Sequence, residues 1–321
     1  MMSRFKRYKY FIFGFILSLL TSLNLSLVTA IEPVNTAEVT TSGVSRVNVW
    51  QAIALGFVQG ATEFIPISST AHMKAIPVFF GWGDPGVAFT AVIQLGSIAA
   101  VLWYFWSDLT QITRGMLKAI AKSDYDSQDF WLAVGIAVGT IPIVVFGLGI
   151  KVFVPDFDNS PIRSMTSIAI ASIIMGLLLG LSERFGSQKR NFQDLTAKDG
   201  ILIGMAQALA IIPGVSRSGS TITAGLFNNL DRATAARFSF LLGIPAITLA
   251  GLVELKDLVD AGIDSSQTLS IIAGLISSAI FSYLAIAWLI EFLRRRSTWI
   301  FVWYRIAFGI LILIAVAQNW I

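Results

Sequence analysis

Cysteine is absent from this 321-residue chain, and histidine occurs once, as His72. The first absence excludes disulfides, thiolate nucleophiles and cysteine metal sites. The second excludes any mechanism that needs two imidazoles, one as nucleophile and one as acid, and equally a His-cluster zinc site. Charge is also sparse: Asp, Glu, Lys and Arg make up 13% of the residues against 55% hydrophobic ones, and the mean hydropathy is +0.74. A chain this apolar at this length reads as an all-α polytopic membrane protein, with the bilayer as its main surroundings. The net charge of +4 is modest. Lys and Arg gather in a few short loops, a topology signal rather than a nucleic-acid footprint, so no nucleic-acid partner is expected. A Walker phosphate loop and the protein-kinase motif set are both missing.

What is present begins with a separate N-terminal segment. Arg4, Lys6, Arg7 and Lys9 precede an apolar run from Tyr10 to about Val28, and Val28, Thr29 and Ala30 resemble a signal-peptidase site. Residues 1–45 therefore read as a signal peptide or an uncleaved anchor, followed by a polar linker on the outer side, and residues 46–321 as the integral membrane domain.

Six apolar stretches are long enough to span: Val87 to Trp106, Trp131 to Phe153, Ser164 to Leu181, Phe238 to Leu255, Leu269 to Ile290 and Trp299 to Ala317. Two further segments, Val47 to Phe80 and Gly200 to Leu230, are broken by Pro66 and by Pro213 with Gly214. Each is better read as a re-entrant hairpin of two short helices than as one kinked span. Arg114, Lys118 and Lys122, then Arg184, Lys189, Arg190 and Lys198, then Arg294, Arg295 and Arg296 follow alternate spans and should be cytoplasmic. Each half is then one hairpin plus three spans. Three is odd, so the second half inverts relative to the first, giving inverted repeats over about 47–182 and 200–321 whose hairpin tips meet near the midplane. The aromatic residues Trp103, Tyr104, Trp106, Trp299, Trp303 and Tyr304 fall at span ends, where interface anchoring is their expected role.

The chemistry gathers at the two breaks. In Gln59-Gly60-Ala61-Thr62-Glu63-Phe64-Ile65-Pro66-Ile67-Ser68-Ser69-Thr70-Ala71-His72, Gln59 and Glu63 share a helix face. Three consecutive hydroxyls, Ser68, Ser69 and Thr70, exceed what an N-cap requires. His72 lies one helical turn after Ser69, within reach of its hydroxyl. In Pro213-Gly214-Val215-Ser216-Arg217-Ser218-Gly219-Ser220-Thr221, glycines that allow close approach, a fresh helix N-terminus, hydroxyls and a guanidinium form an anion cradle. Arginine is the preferred two-point partner of a phosphate. The residues by themselves suit phosphoryl transfer from an amphiphile. They suit transport of a phosphorylated substrate equally well.

Together the two motifs closely resemble the signatures of the undecaprenyl-diphosphate phosphatase family, the bacitracin-resistance type, with similar hydropathy and spacing from roughly Val49 to the C-terminus. The resemblance implies hydrolysis of undecaprenyl diphosphate to the monophosphate and inorganic phosphate in the bacterial cytoplasmic membrane, recycling the lipid carrier of cell-wall assembly. The active site is then expected to face the outer side. The alternative is a transporter or flippase of a phosphorylated lipid or small anion.

By the same resemblance, Glu63 is the motif glutamate, Ser69 the nucleophile, His72 the catalytic histidine and Arg217 the diphosphate-binding arginine. Gln59, Ser68, Thr70, Gly214, Ser216, Ser218, Gly219 and Thr221 are expected to bind substrate. In this reading His72 takes the Ser69 proton, while Glu63 orients His72 or binds a divalent cation, Mg or Ca. Direct attack by water competes with a phosphoserine route. Beyond the polyprenyl diphosphate and the bilayer, a homodimer is left open as a partner. Two departures stand out: Gln59 replaces a second glutamate, which weakens a two-carboxylate metal site, and Ala71 replaces a glycine.

Overall fold

The computed structural model describes residues 47–320 apart from 84, 155, 158, 159 and 262–267. The signal peptide or anchor and linker expected over residues 1–45 lie outside the described residues. Among the described residues the chain is all-helical, with a single isolated bridge between Arg190 and Leu230. Its helices are α1 (Val49–Glu63), α2 (Ser69–Phe79), α3 (Gly86–Tyr104), α4 (Trp106–Lys122), α5 (Gln128–Phe153), α6 (Met165–Phe185), α7 (Ala197–Ala208), α8 (Arg217–Phe227), α9 (Arg232–Ala261), α10 (Thr268–Arg295) and α11 (Trp299–Ala317).

Five of these, α5, α6, α9, α10 and α11, are long and apolar enough to cross a membrane. The sixth expected span differs. It closes at Tyr104, and the chain bends by 65° into α4, so a sixth span exists only if α3 and α4 count as one. The reason lies in the composition of α4. Ile112 and Ala119, two turns apart, are buried while Arg114 and Lys118 are exposed, the pattern of a helix lying on a surface rather than through a core.

Both proline-broken segments fold as helix, break, helix, and both open on a capping box. Asn48 accepts from the Gln51 amide at 2.9 Å while Gln51 accepts from the Asn48 amide at 3.0 Å. Thr196 and Asp199 do the same at the start of α7. Small residues then set the packing. On α1, Gly56 and Gly60 lie so close to Gly274 and Ser278 of α10 that a methyl on either would meet backbone. Gly200 and Gly204 of α7 lie likewise against Gly135 and Gly139 of α5. Small residues four apart let helices approach to backbone contact where burial from water gives no driving force. The first helix of each broken segment thereby packs on a long helix of the other part of the chain, α1 on α10 and α7 on α5.

The start of the second broken segment is tied by charge. Arg190 grips Asp199 with both terminal nitrogens, at 2.8 and 2.6 Å, and also donates to the Asp194 and Asn228 carbonyls. Hydrogen bonds to Asp199 hold the Arg190 guanidinium, outside the spans, above its ordinary pKa. Glu183 of α6 binds Arg232 of α9 and the Thr298 hydroxyl at the entry to α11. The Arg190 bond to the Asn228 carbonyl ties down the C-terminal end of α8.

Candidate active site

Each break ends on a serine in the left-handed region, Ser68 at φ 75 and Ser216 at φ 71. Non-glycine residues rarely adopt this conformation, and it costs about 1–3 kcal/mol where the surroundings enforce it. The shared geometry turns the chain sharply into α2 and α8, and the first residue of each new helix is one that the motifs single out, Ser69 in one and Arg217 in the other. Ser216 caps its helix, its hydroxyl accepting from the Gly219 amide at 3.1 Å. Ser68 makes no such cap, so the first-turn amides of α2 are left without a side-chain acceptor.

Ser69 and Arg217 meet at Glu63. The Ser69 hydroxyl donates to Glu63 Oε2 at 2.7 Å, Gln59 Nε2 donates to the same oxygen at 3.0 Å, and Arg217 Nη2 reaches Oε1 at 3.3 Å. The Glu63 and Arg217 side chains are 10% and 8% exposed. Arg217 is under-used here. Its Nε and Nη1 are buried without a hydrogen-bond partner. An unsatisfied buried donor costs about 1–3 kcal/mol, more when charged, so this guanidinium has hydrogen-bonding capacity that Glu63 alone does not use.

Two neighbours hold Arg217 in place. Its Cζ lies 5.7 Å from the centroid of the Phe64 ring. Its Nη1 lies over Gly243 of α9, where any methyl would overlap the guanidinium. Gly243 belongs to neither motif, and only the tertiary contact reveals it.

Arg305 of α11 was equally hidden, although a lone charge inside the apolar stretch from Trp299 to Ala317 could have signalled it. It is fully buried. Its guanidinium donates to the Pro66 carbonyl at 3.0 Å, to Gly214 and Val215 at 2.7 and 3.0 Å, and to Ser172 at 3.1 Å. One cation thus clamps both breaks through their carbonyls, without a carboxylate.

His72 differs from expectation. Its Nδ1 lies 2.7 Å from the Ser68 carbonyl, its Nε2 2.7 Å from the Tyr304 hydroxyl, and its ring stacks on Phe308 with centroids 4.2 Å apart. Neither ring nitrogen faces Ser69, whose proton is directed at Glu63 instead. Glu63 accordingly orients Ser69 rather than His72. A carbonyl can only accept, so the neutral imidazole carries its proton on Nδ1 and accepts from Tyr304 on Nε2. Tyr304, expected as an interface anchor, is the partner of the buried histidine.

The remaining expected residues serve mostly to build the breaks. Ser218 bonds the Ile65 carbonyl and the Ser216 hydroxyl, both at 3.2 Å, joining one break to the other. Thr221 bonds the Arg217 carbonyl at 2.8 Å and Ser239 of α9 at 2.5 Å, so its hydroxyl faces protein rather than an open cradle. Gly214, at φ 91, packs on the Ile168 backbone, and Gly219 leaves room for Arg305. Thr70 is exposed, about 100° around α2 from Ser69, and does not join the bonded cluster. Gln207, which repeats Gln59 in the second half, is fully buried with both amide atoms unpartnered.

The donor set offers a divalent cation one carboxylate, Glu63, so a Mg or Ca ion there would draw its other ligands from the substrate phosphates. Among the described residues no group of three or more His, Asp or Glu side chains gathers. Glu63 is one carboxylate whose oxygens already serve Gln59, Ser69 and Arg217, whereas Mg or Ca sites draw on several oxygen ligands.

The chain matches the family model described as "Bacitracin resistance protein BacA" over residues 52–311. It is 65% identical over 277 residues to a protein of Nostoc sp. named undecaprenyl-diphosphatase, which covers 86% of this chain and 87% of that one. Proteins of the same name from Synechocystis sp. and Synechococcus elongatus are 64% and 62% identical, over 88% and 87% of this chain and 86% and 96% of theirs.

Proposed function

This chain belongs to the bacitracin resistance protein BacA family, and from that premise we infer that it is an undecaprenyl-diphosphatase, hydrolysing undecaprenyl diphosphate to undecaprenyl phosphate and inorganic phosphate. The product returns the lipid carrier to cell-wall synthesis. The observation that carries a mechanism is the pairing of Arg217, with two buried unpartnered nitrogens, and Ser69, with its proton already directed at a carboxylate, on opposite oxygens of one Glu63.

In this mechanism the free nitrogens of Arg217 and the uncapped amides of α2 hold the terminal phosphate and neutralise charge that spreads over its oxygens in the transition state. Ser69 attacks the phosphorus and Glu63 takes its proton. Gln59 fixes the carboxylate for that transfer. The reading differs from the sequence expectation in giving the serine's base as Glu63, and it is supported by the 2.7 Å contact between them.

The protein is a multi-pass membrane protein acting on a lipid substrate. We place it in the cytoplasmic membrane as two inverted repeats with re-entrant hairpins, the site open to the outer side. Support comes from the crosswise packing of α1 on α10 and α7 on α5, from the matched serines at the two breaks, and from the basic loops. Single cysteines introduced beside Ser69 and near Lys189 test the orientation in intact cells. An impermeant thiol reagent should label the first; labelling of the second alone would reverse the assignment.

The function is tested by phosphate release from undecaprenyl diphosphate by the purified protein in detergent, where transport has no meaning. Stoichiometric release is expected. Binding of the lipid without release would favour the transporter or flippase.

A further inference from the structure

We propose that Tyr304 is a catalytic proton carrier, taking a proton from the attacking water and handing its own to His72. The proposal rests on the phosphatase reading above.

His72 is 3% exposed, so it cannot itself meet a water molecule in an open site. Its Nδ1 proton is committed to the Ser68 carbonyl, which leaves Nε2 as the basic nitrogen. That nitrogen is 2.7 Å from the Tyr304 hydroxyl, and Tyr304 is 43% exposed. Ser68, the other residue bonded to the imidazole, is 2% exposed, so the phenol is the one partner whose residue has surface outside the pocket. The pair is held rigidly. Tyr304 and Phe308, one turn apart on α11, both stack nearly parallel to the imidazole, with planes within 11° and 2° of it. The next residue, Arg305, pins α11 to both breaks through the carbonyls of Pro66, Gly214 and Val215. His72 sits one turn from Ser69 in the first turns of α2, which brings the histidine and its phenol partner to the end of that helix where Ser69 lies.

The chemistry divides into two half-reactions with separate bases. In the first, the bond from Ser69 Oγ to phosphorus forms, the anhydride bond breaks, undecaprenyl phosphate leaves, and the serine proton goes to Glu63. In the second, the oxygen of water bonds to phosphorus and the bond from phosphorus to Ser69 Oγ breaks. The water proton passes to Tyr304 Oη as the phenol proton passes to His72 Nε2. Glu63 returns its proton to Ser69. The imidazolium sheds its proton to solvent through Tyr304 once phosphate has left. The arrangement gives the buried histidine a task although it does not face the serine.

Tyr304→Phe keeps the ring, its stacking on His72 and the helix, and removes only the hydroxyl. With undecaprenyl diphosphate labelled in the terminal phosphate and rapid quenching, the variant should release one equivalent of undecaprenyl phosphate at close to the wild-type rate. Inorganic phosphate should then appear about a hundredfold more slowly, the scale of a lost general base, with label held on the protein. A variant carrying 3-fluorotyrosine at position 304, which retains a hydroxyl, should restore most of the phosphate release. Phe-variant turnover within twofold of wild type, or parallel slowing of both products without labelled protein, would overturn the relay. Failure of the wild-type protein to release phosphate would instead overturn the phosphatase reading.

Discussion

Ser68 and Ser216 hold the same left-handed backbone conformation, at φ 75 and φ 71, one at the break of each half of the chain. The residue that follows is Ser69 in one half and Arg217 in the other, and both converge on Glu63. One local device, used twice, thus aims a hydroxyl and a guanidinium at a common carboxylate.

Glycine adopts this conformation without strain, whereas a β-branched residue cannot do so cheaply. Ser68→Gly should therefore keep the fold and at least a tenth of wild-type turnover, while Ser68→Val should lose turnover by a hundredfold or more. The comparison is of kcat in detergent alongside the thermal midpoint. Equal activity in the two variants would show that the backbone turn does not set the position of Ser69.

Gly243→Ala isolates the seat of Arg217. The added methyl overlaps a flexible side-chain end rather than backbone, so stability should change little while the guanidinium is displaced. KM for the diphosphate should rise at least tenfold with the thermal midpoint within a few degrees of wild type. Arg217→Lys should fail similarly, because an ammonium lacks the planar fork. Wild-type KM in the alanine variant would mean that Arg217 binds from elsewhere.

Arg305→Met should act on stability first. It removes donors from four carbonyls at the junction of α6, α11 and both breaks. At about 1 kcal/mol per bond the loss is on the order of 4 kcal/mol. Thermal melting in detergent should show a midpoint lower by several degrees. An unchanged midpoint would indicate that the breaks hold without the clamp.

The chain's apolar stretches and prolines carried most of the fold. Helices form over all six apolar stretches, and both broken segments part near their prolines. Such features are local, and a linear reading can find them. The bend after Tyr104 escaped because the apolar run continues through Trp106 while the amphipathic face of α4 becomes clear only once its buried side is seen.

The motif reading located Glu63, Ser69 and Arg217, and the structure brings the three together. It did not anticipate their pairing. His72 is three residues from Ser69, but helical spacing cannot foretell that Tyr304, 232 residues away, takes its lone pair. Gly243 was invisible for the same reason, and Arg305 showed only as a lone charge in an apolar stretch, since both roles depend on contacts between distant helices. The hydroxyls of Ser218 and Thr221 looked like phosphate ligands because sequence shows donors without showing which are already engaged.

The most direct test of the account is to locate the phosphate during turnover. With undecaprenyl diphosphate labelled in its terminal phosphate, quenched wild-type protein should carry label on Ser69. Ser69→Ala should carry none, and Glu63→Gln should form it at least a hundredfold more slowly than wild type, while His72→Gln should form it at close to the wild-type rate. Wild-type turnover with no label on Ser69 in the millisecond range, or label formation that depends on His72 and not on Glu63, would contradict the assignment of Ser69 as nucleophile with Glu63 as its base.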